Sequence, residues 1–262
     1  MTISLIVPII IGWLAGWIVN YISDVLPLTR KLSQPECLQC HATYPVLDYL
    51  LFKSCPNGHP RRARIWLVQL IAVAISLLTW YQPPSKIGYM LGMLLIVYFG
   101  VVIVIDMEHR LILHPTSIFG SLIALGLGLV SHGLVPTLLG GLGGFLIMMA
   151  FYALGMLFTR FRAKRMAAQA KELDDEEALG AGDVILVTIL GFLVGWPLIW
   201  FSILFSLLLG GMVSFFYLIG LFLTRKYEEN SLMMFIPYGP YFVISAFLIT
   251  YFPRLVAAIV PG

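Results

Sequence analysis

The chain has 262 residues, of which 60% are hydrophobic and only 11% charged, and its mean hydropathy is +0.95. Soluble domains carry about 25% charged residues, so this composition excludes a soluble enzyme and leaves a lipid bilayer as the main solvent. A net charge of +3 spread over the whole length gives no basic face for nucleic acid.

A hydrocarbon core of about 30 Å takes roughly 20 apolar residues per helix. Eight segments meet or approach that length: about 3–23, 65–82, 87–105, 117–134, 136–158, 184–196, 198–224 and 234–259. The expected fold class is all-α: a polytopic membrane protein with about eight transmembrane helices in an irregular bundle and a small cytoplasmic zinc-binding loop. The first segment begins without a basic n-region or a small-residue cleavage site and reads as a retained helix. Residues 1–23 are this first transmembrane helix, 24–64 a cytoplasmic cysteine loop, and 65–262 the remaining transmembrane core with a cytoplasmic loop at 159–183.

Lys and Arg set the orientation, because short cytoplasmic loops collect them. Arg30, Lys31, Lys53, Arg61, Arg62 and Arg64 lie between the first two segments, Arg110 follows the third, Arg160, Arg162, Lys164, Arg165 and Lys171 follow the fifth, and Arg225 and Lys226 follow the seventh. Only Lys86 and Arg254 fall on the opposite side. Both termini are therefore expected outside the cytoplasm.

In the first loop, Cys37 and Cys40 form "CLQC", and Cys55 opens "CPNGH". In a reducing compartment this spacing reads as zinc rather than a disulfide. His59 is the expected fourth ligand. His41 competes, but it adjoins Cys40 and needs an awkward turn. A loop of about 40 residues with few large apolar groups needs such a metal to hold its shape. The other reading is a loop that has lost its metal, with Cys55 a stray thiol.

Two carboxylates stand apart from the solvated acids. Asp106 ends the third segment in "VVIVIDMEHRLILHP", and Asp183 opens the sixth in "GAGDVILV". Charge at the edge of an apolar helix is costly and is usually retained for use. By the parity of the spans both lie at the cytoplasmic edge, where a close pair would share a proton and could activate a water. Gly180 and Gly182 would allow a sharp turn, and the orphan amides of a helix start favour Asp183 as an anion. On spacing alone, helix capping explains each aspartate equally well. Acids such as Glu108 and Asp175 read as exposed.

Taken together these stretches resemble the bacterial type IV prepilin peptidases (leader peptidase and N-methyltransferase), which belong to the G-x-G-D intramembrane aspartyl proteases. "GWIVNYISDVLP" at 16–27, with Asn20 and Leu26-Pro27, resembles the family's first-helix motif, and "YPVLDYLLFKSC" at 44–55 the segment between its cysteine pairs. "IDMEHRL" at 105–111 and "GAGD" at 180–183 resemble the two catalytic motifs, and "IPYGPYFVISA" at 236–246, with Pro237, Gly239 and Pro240, the last-helix motif. The resemblance implies catalysis by Asp106 and Asp183, type IV prepilins or pseudopilins as substrates, and S-adenosylmethionine as methyl donor for the new N-terminus. It implies a multi-pass protein of the bacterial inner membrane, serving a type IV pilus, type II secretion or DNA uptake, and a homo-oligomer is compatible with it.

Several positions depart from the family pattern. Ile185 stands where a lysine is usual, Leu113 where a proline is, Gln69 where glutamate is common, and Asp24-Val25 where Tyr-Arg is. Two readings from other classes stay open: a proton- or cation-coupled transporter using the two aspartates, and a non-catalytic pilin-binding assembly factor. Of the remaining features, the basic-to-acidic run 160–177 reads as a solvated helix near anionic headgroups, and "LGGLGGF" at 139–145 as a place where helices approach closely.

Overall fold

The computed structural model describes residues 3–37, 39–167, 180–223 and 237–259. Its secondary structure is helical: α1 (Ile3–Thr29), α2 (Val46–Leu50), α3 (Ala63–Tyr81), α4 (Gly88–His109), α5 (His114–His132), α6 (Leu134–Ala167), α7 (Ala181–Val194), α8 (Leu198–Leu223), α9 (Gly239–Tyr251) and α10 (Pro253–Ile259). Among the described residues the only β feature is an isolated bridge between Glu36 and Thr43. Among the described residues six helices (α1, α3, α4, α5, α6 and α8) are long and apolar enough to cross a membrane, and α7 and α9 are shorter apolar helices. These eight correspond to the eight segments expected from the sequence.

The chain divides into two compact units, Met1–Thr116 and Ser117–Gly262. In the first, α1 packs against both α3 and α4. Gly12 and Gly16, one turn apart on α1, let α3 approach so closely that a Cβ on Gly12 would lie 2.7 Å from the Val73 Cα. Polar side chains tie the same seam: Ser76 Oγ donates to the Pro8 carbonyl at 2.6 Å, and Asn20 Nδ2 to the Ile65 carbonyl at 3.2 Å. The buried core on the α4 side contains Val19, Leu26, Val101, Val104, Ile105 and Leu113.

Two helices run further than the apolar pattern suggests. The first was expected to end near residue 23, yet α1 continues through Pro27 to Thr29. A proline in the last turn removes only one intrahelical bond, and the end is closed by Arg30, whose backbone turns left-handed (φ 54°) and whose N–H bonds the Leu26 carbonyl at 2.9 Å. Because Asn20 is level with Ile65, residues 21–29 extend past the start of α3 and carry the cysteine loop. Likewise α4 was expected to end near Asp106 but runs to His109, closed by Arg110 in the same left-handed conformation. Asp106 therefore lies within the last turn, not beyond it. Pro115 occupies the first turn of α5, where its missing N–H costs nothing.

In the second unit α6 and α7 pack closely, and α8 and α9 pack against α7 and against each other. The glycine cluster at 139–145 makes the α6–α7 contact: a Cβ on Gly140 would fall 2.3 Å from the Gly191 carbonyl oxygen, and one on Gly191 equally close to that of Gly140. Ser202 and Ser245, both buried, join α8 to α9 through hydroxyls 2.9 Å apart. The segment expected at 234–259 is interrupted at Phe252, ahead of Pro253, so that α9 and α10 are separate helices. The run 160–177, the acid Asp175, the cations Lys171, Arg225 and Lys226, and the start of the last segment at 234–236 lie wholly or partly outside the described residues.

Candidate functional site

The cysteine loop folds into two similar turns. In one, Cys37 N–H donates to the Ala42 carbonyl (2.9 Å) and His41 N–H to the Cys37 carbonyl (2.8 Å); in the other, Cys55 N–H donates to the His59 carbonyl (3.0 Å) and Gly58 N–H to the Cys55 carbonyl (2.8 Å). Each turn passes through a positive φ, 55° at His41 and 84° at Gly58. At the second position glycine adopts that conformation without strain.

These turns bring Cys37, Cys40, Cys55 and His59 together, with ligand atoms all within 4.8 Å of one another. Cys40 Sγ is 3.3 Å from Cys55 Sγ, and Cys37 Sγ is 3.9 Å from His59 Nδ1. Thiolates about 2.3 Å from a tetrahedral zinc sit about 3.8 Å apart, so the quartet is close to the size that a zinc ion requires. His41 is exposed and outside the cluster. Burial works to raise the Cys37 thiol, but hydrogen bonds from the Gln39 and Cys40 amides and from the neighbouring thiols bring it down to about 6. Burial and the surrounding sulfurs push Cys55 up, against the Asn57 amide.

The loop also has a small aromatic core, which its composition did not suggest. Tyr44 and Tyr49 are buried with Cys37 and Cys55, and the Arg61 guanidinium lies 4.1 and 4.3 Å from the centres of the two rings. Arg61 Nε also donates to the Lys53 carbonyl at 2.9 Å. Such cation–π contacts stabilise by about 0.5–2 kcal/mol each.

A cavity of about 490 Å³ lies between α1 and this loop, lined mainly by Trp17, Ile18, Tyr21, Leu32, Pro35 and Tyr49, with Ser33 and Gln34 at its polar edge. Its lining has no carboxylate to receive the amino group or ribose hydroxyls of S-adenosylmethionine. This cavity is therefore not assigned to that cofactor.

Asp106 is 5% exposed, in the last turn of α4 in the first unit. Asp183 is half-buried in the first turn of α7 in the second, and its N–H donates to the Gly180 carbonyl at 3.0 Å. Gly180 caps α7 in an ordinary extended conformation (φ −74°). The nearest atom to a Cβ built there is the Gly182 nitrogen at 3.9 Å. Among the described residues neither a left-handed turn nor a close contact stands at Gly180; the chain immediately before it lies outside the described residues. In the same unit, Gly239 and Pro240 are buried in the first turn of α9, Pro237 precedes them half-buried, and Tyr238 packs on Gly210 of α8. Asn20 is 1% exposed and joins α1 to α3 as described above.

Residues 93–215 match the model of the type IV leader peptidase family. That stretch holds both aspartates and leaves the cysteine loop outside it. The prepilin leader peptidase/N-methyltransferase of Aeromonas hydrophila is 26% identical over 238 residues, covering 86% of this chain and 73% of the relative. Its counterpart in Aeromonas salmonicida (strain A449) is 28% identical over 211 residues, covering 78% and 64%, and that of Stutzerimonas stutzeri 28% over 182 residues, covering 68% and 56%. These findings support a type IV prepilin peptidase. The chain spans less than two thirds of the length of the last two relatives. No solved structure matches it. The likeness to this peptidase group accords with the apolar helices.

Proposed function

We propose that the chain is a membrane-embedded aspartyl endopeptidase that removes the basic leader of type IV prepilins or pseudopilins at the cytoplasmic face of the inner membrane. The observation that carries this reading is the pair Asp106 and Asp183, each in a terminal turn of an apolar helix and both inside the stretch matching the leader peptidase family. One carboxylate takes a proton from water as the water oxygen adds to the scissile carbonyl, while its protonated partner donates a hydrogen bond to the carbonyl oxygen. Collapse of the tetrahedral intermediate returns a proton to the departing amine, and no acyl-enzyme forms. Incubating the purified chain with a prepilin and sizing the product tests the reading. Leader removal supports it, whereas pilin binding without cleavage, or ion flux without cleavage, makes the protein an assembly factor or a transporter.

N-methylation of the new N-terminus is the second activity, supported by the names of the relatives. Methyl transfer from S-adenosylmethionine to a pre-cleaved pilin, measured with a labelled donor, checks it.

Zinc is assigned to Cys37, Cys40, Cys55 and His59, where it would supply a structural crosslink between the two turns of the loop. Elemental analysis is expected to give about one zinc per chain. His59→Ala should release it far more readily than His41→Ala, because His41 lies outside the cluster. Equal retention by both variants would remove His59 from the site.

The proposed orientation places both termini outside and residues 24–64, 106–116, 159–183 and 225–233 in the cytoplasm. A topology reporter fused after Arg165 is therefore expected to read as cytoplasmic, and one after His132 as external. Reversed readings would put both aspartates on the face opposite a prepilin leader.

A further inference from the structure

One guanidinium in the first unit joins three helices and the cysteine loop. Arg64, in the first turn of α3, donates through Nη1 to Glu108 Oε2 of α4 at 2.7 Å and through Nη2 to Asp24 Oδ1 of α1. The second oxygen of Asp24 accepts the Tyr49 hydroxyl of α2 at 2.7 Å. The side chains of Arg64 and Asp24 are only 15% and 18% exposed, and although Glu108 is exposed as a residue, its side chain is 23% exposed. Exposed ion pairs contribute little, and Lys53–Asp48 on the same loop, 59% and 35% exposed, is one of these. The Arg64 network is shielded, and its planar fork holds two carboxylates on different helices, a geometry that a lysine does not reproduce.

The position of Glu108 gives the network its consequence. It lies two residues beyond Asp106 in the same last turn of α4, and the Asp106 carbonyl accepts the closing Arg110 N–H at 2.9 Å. A helix end is where backbone bonds run out and fraying begins, so a side-chain anchor there governs where the turn rests. Glu108 is exposed as the sequence suggests, yet its carboxylate is tied to Arg64, and at 3.2 Å to Arg62.

We propose that Arg64 is a positioning residue for the catalytic carboxylate Asp106, holding the last turn of α4 against α1 and, through Asp24 and Tyr49, against the cysteine loop. This rests on the reading of Asp106 given above. Asp24 stands where the related motif carries a tyrosine, so this link belongs to the chain's own sequence. Displacing a reacting group by about 1 Å costs roughly 100-fold in rate, and a misplaced carboxylate affects turnover more than substrate capture.

The test uses the full chain in detergent and a purified prepilin that the wild-type protein cleaves. Arg64→Gln is expected to lower kcat by about 10- to 100-fold with KM within about threefold. Arg64→Lys should recover only part of the loss, and Lys53→Gln should stay at the wild-type rate. Tyr49→Phe and Glu108→Gln do not touch each other, yet they should combine less than multiplicatively because they lie on one chain of contacts. If Arg64→Gln fails to fold, Asp24→Asn and Tyr49→Phe carry the test, each with a smaller fall in kcat expected. Wild-type kcat in the folded variants, or a lowered melting temperature with unchanged kcat below it, overturns the inference. Loss of cleavage in Asp106→Asn beside unaltered Arg64→Gln would overturn this inference alone, persistent cleavage by Asp106→Asn would overturn the catalytic role of Asp106 on which it rests, and absence of cleavage by the wild-type chain would overturn the peptidase reading itself.

Discussion

Asp106→Asn and Asp183→Asn are each expected to reduce prepilin cleavage to near background, by about 10⁴-fold or more, while the protein remains folded. Asparagine keeps the shape of aspartate and its capacity to accept one hydrogen bond, but it can neither take a proton from water nor hand one on. If the carboxylates share a single proton, their titration belongs to the pair, and loss of either member removes the whole function. The double variant should therefore be little worse than each single one, since residues acting as a unit are not additive. The alternative that these aspartates cap or brace helix ends predicts another pattern: lowered stability, partial activity and additive losses. Asp183 is half-buried in the first turn of α7, three residues past the cap Gly180, where loss of a carboxylate's interaction with the helix start costs about 0.3–1 kcal/mol. Cleavage rate and melting temperature measured on the same samples separate the two. Substantial cleavage by folded Asp183→Asn protein would sink the dyad mechanism.

The spans were legible because burying backbone in hydrocarbon leaves a coarse mark, a run of about 20 apolar residues. Their ends were not. Both α1 and α4 close through an arginine in the left-handed conformation, Arg30 and Arg110, and nothing local distinguishes such an arginine from any other in a basic loop. The error bears on function, because it left Asp106 at the edge of its helix when it is buried within the last turn.

The metal quartet was readable since ligand spacing is a local property, and the awkwardness of His41 followed from its adjacency to Cys40. The Arg64 network was not, because Asp24 and Glu108 lie 40 and 44 positions away and meet it only after α1, α3 and α4 have packed. The glycines divide in the same manner: Gly140 and Gly191 are demanded by a helix contact, whereas no such contact stands at the conspicuous Gly180 among the described residues.

That distinction leads to the second large effect. Gly140→Ala and Gly191→Ala are each expected to destabilise the second unit by about 1–3 kcal/mol, the usual cost of overpacking. Each new methyl would lie 2.3 Å from a carbonyl oxygen of the facing helix, which cannot rotate away as a side chain can. The helices would have to part, giving up their packing along α6–α7, and α7 is the element that presents Asp183. A drop of roughly 2–4 °C in melting temperature per kcal/mol is expected. Cleavage should fall as well, even at temperatures where the protein stays folded. Gly126→Ala and Gly211→Ala are the controls: a Cβ at either meets nothing within 4 Å, so alanine's better helix propensity should leave stability unchanged or slightly raised. Once the first methyl has forced the helices apart the second finds room, and Gly140→Ala with Gly191→Ala should therefore cost less than the sum of the two. An unaltered melting temperature in Gly140→Ala would mean that the α6–α7 contact does not set the position of Asp183, and that α8 and α9, packed against the other sides of α7, are sufficient to hold it.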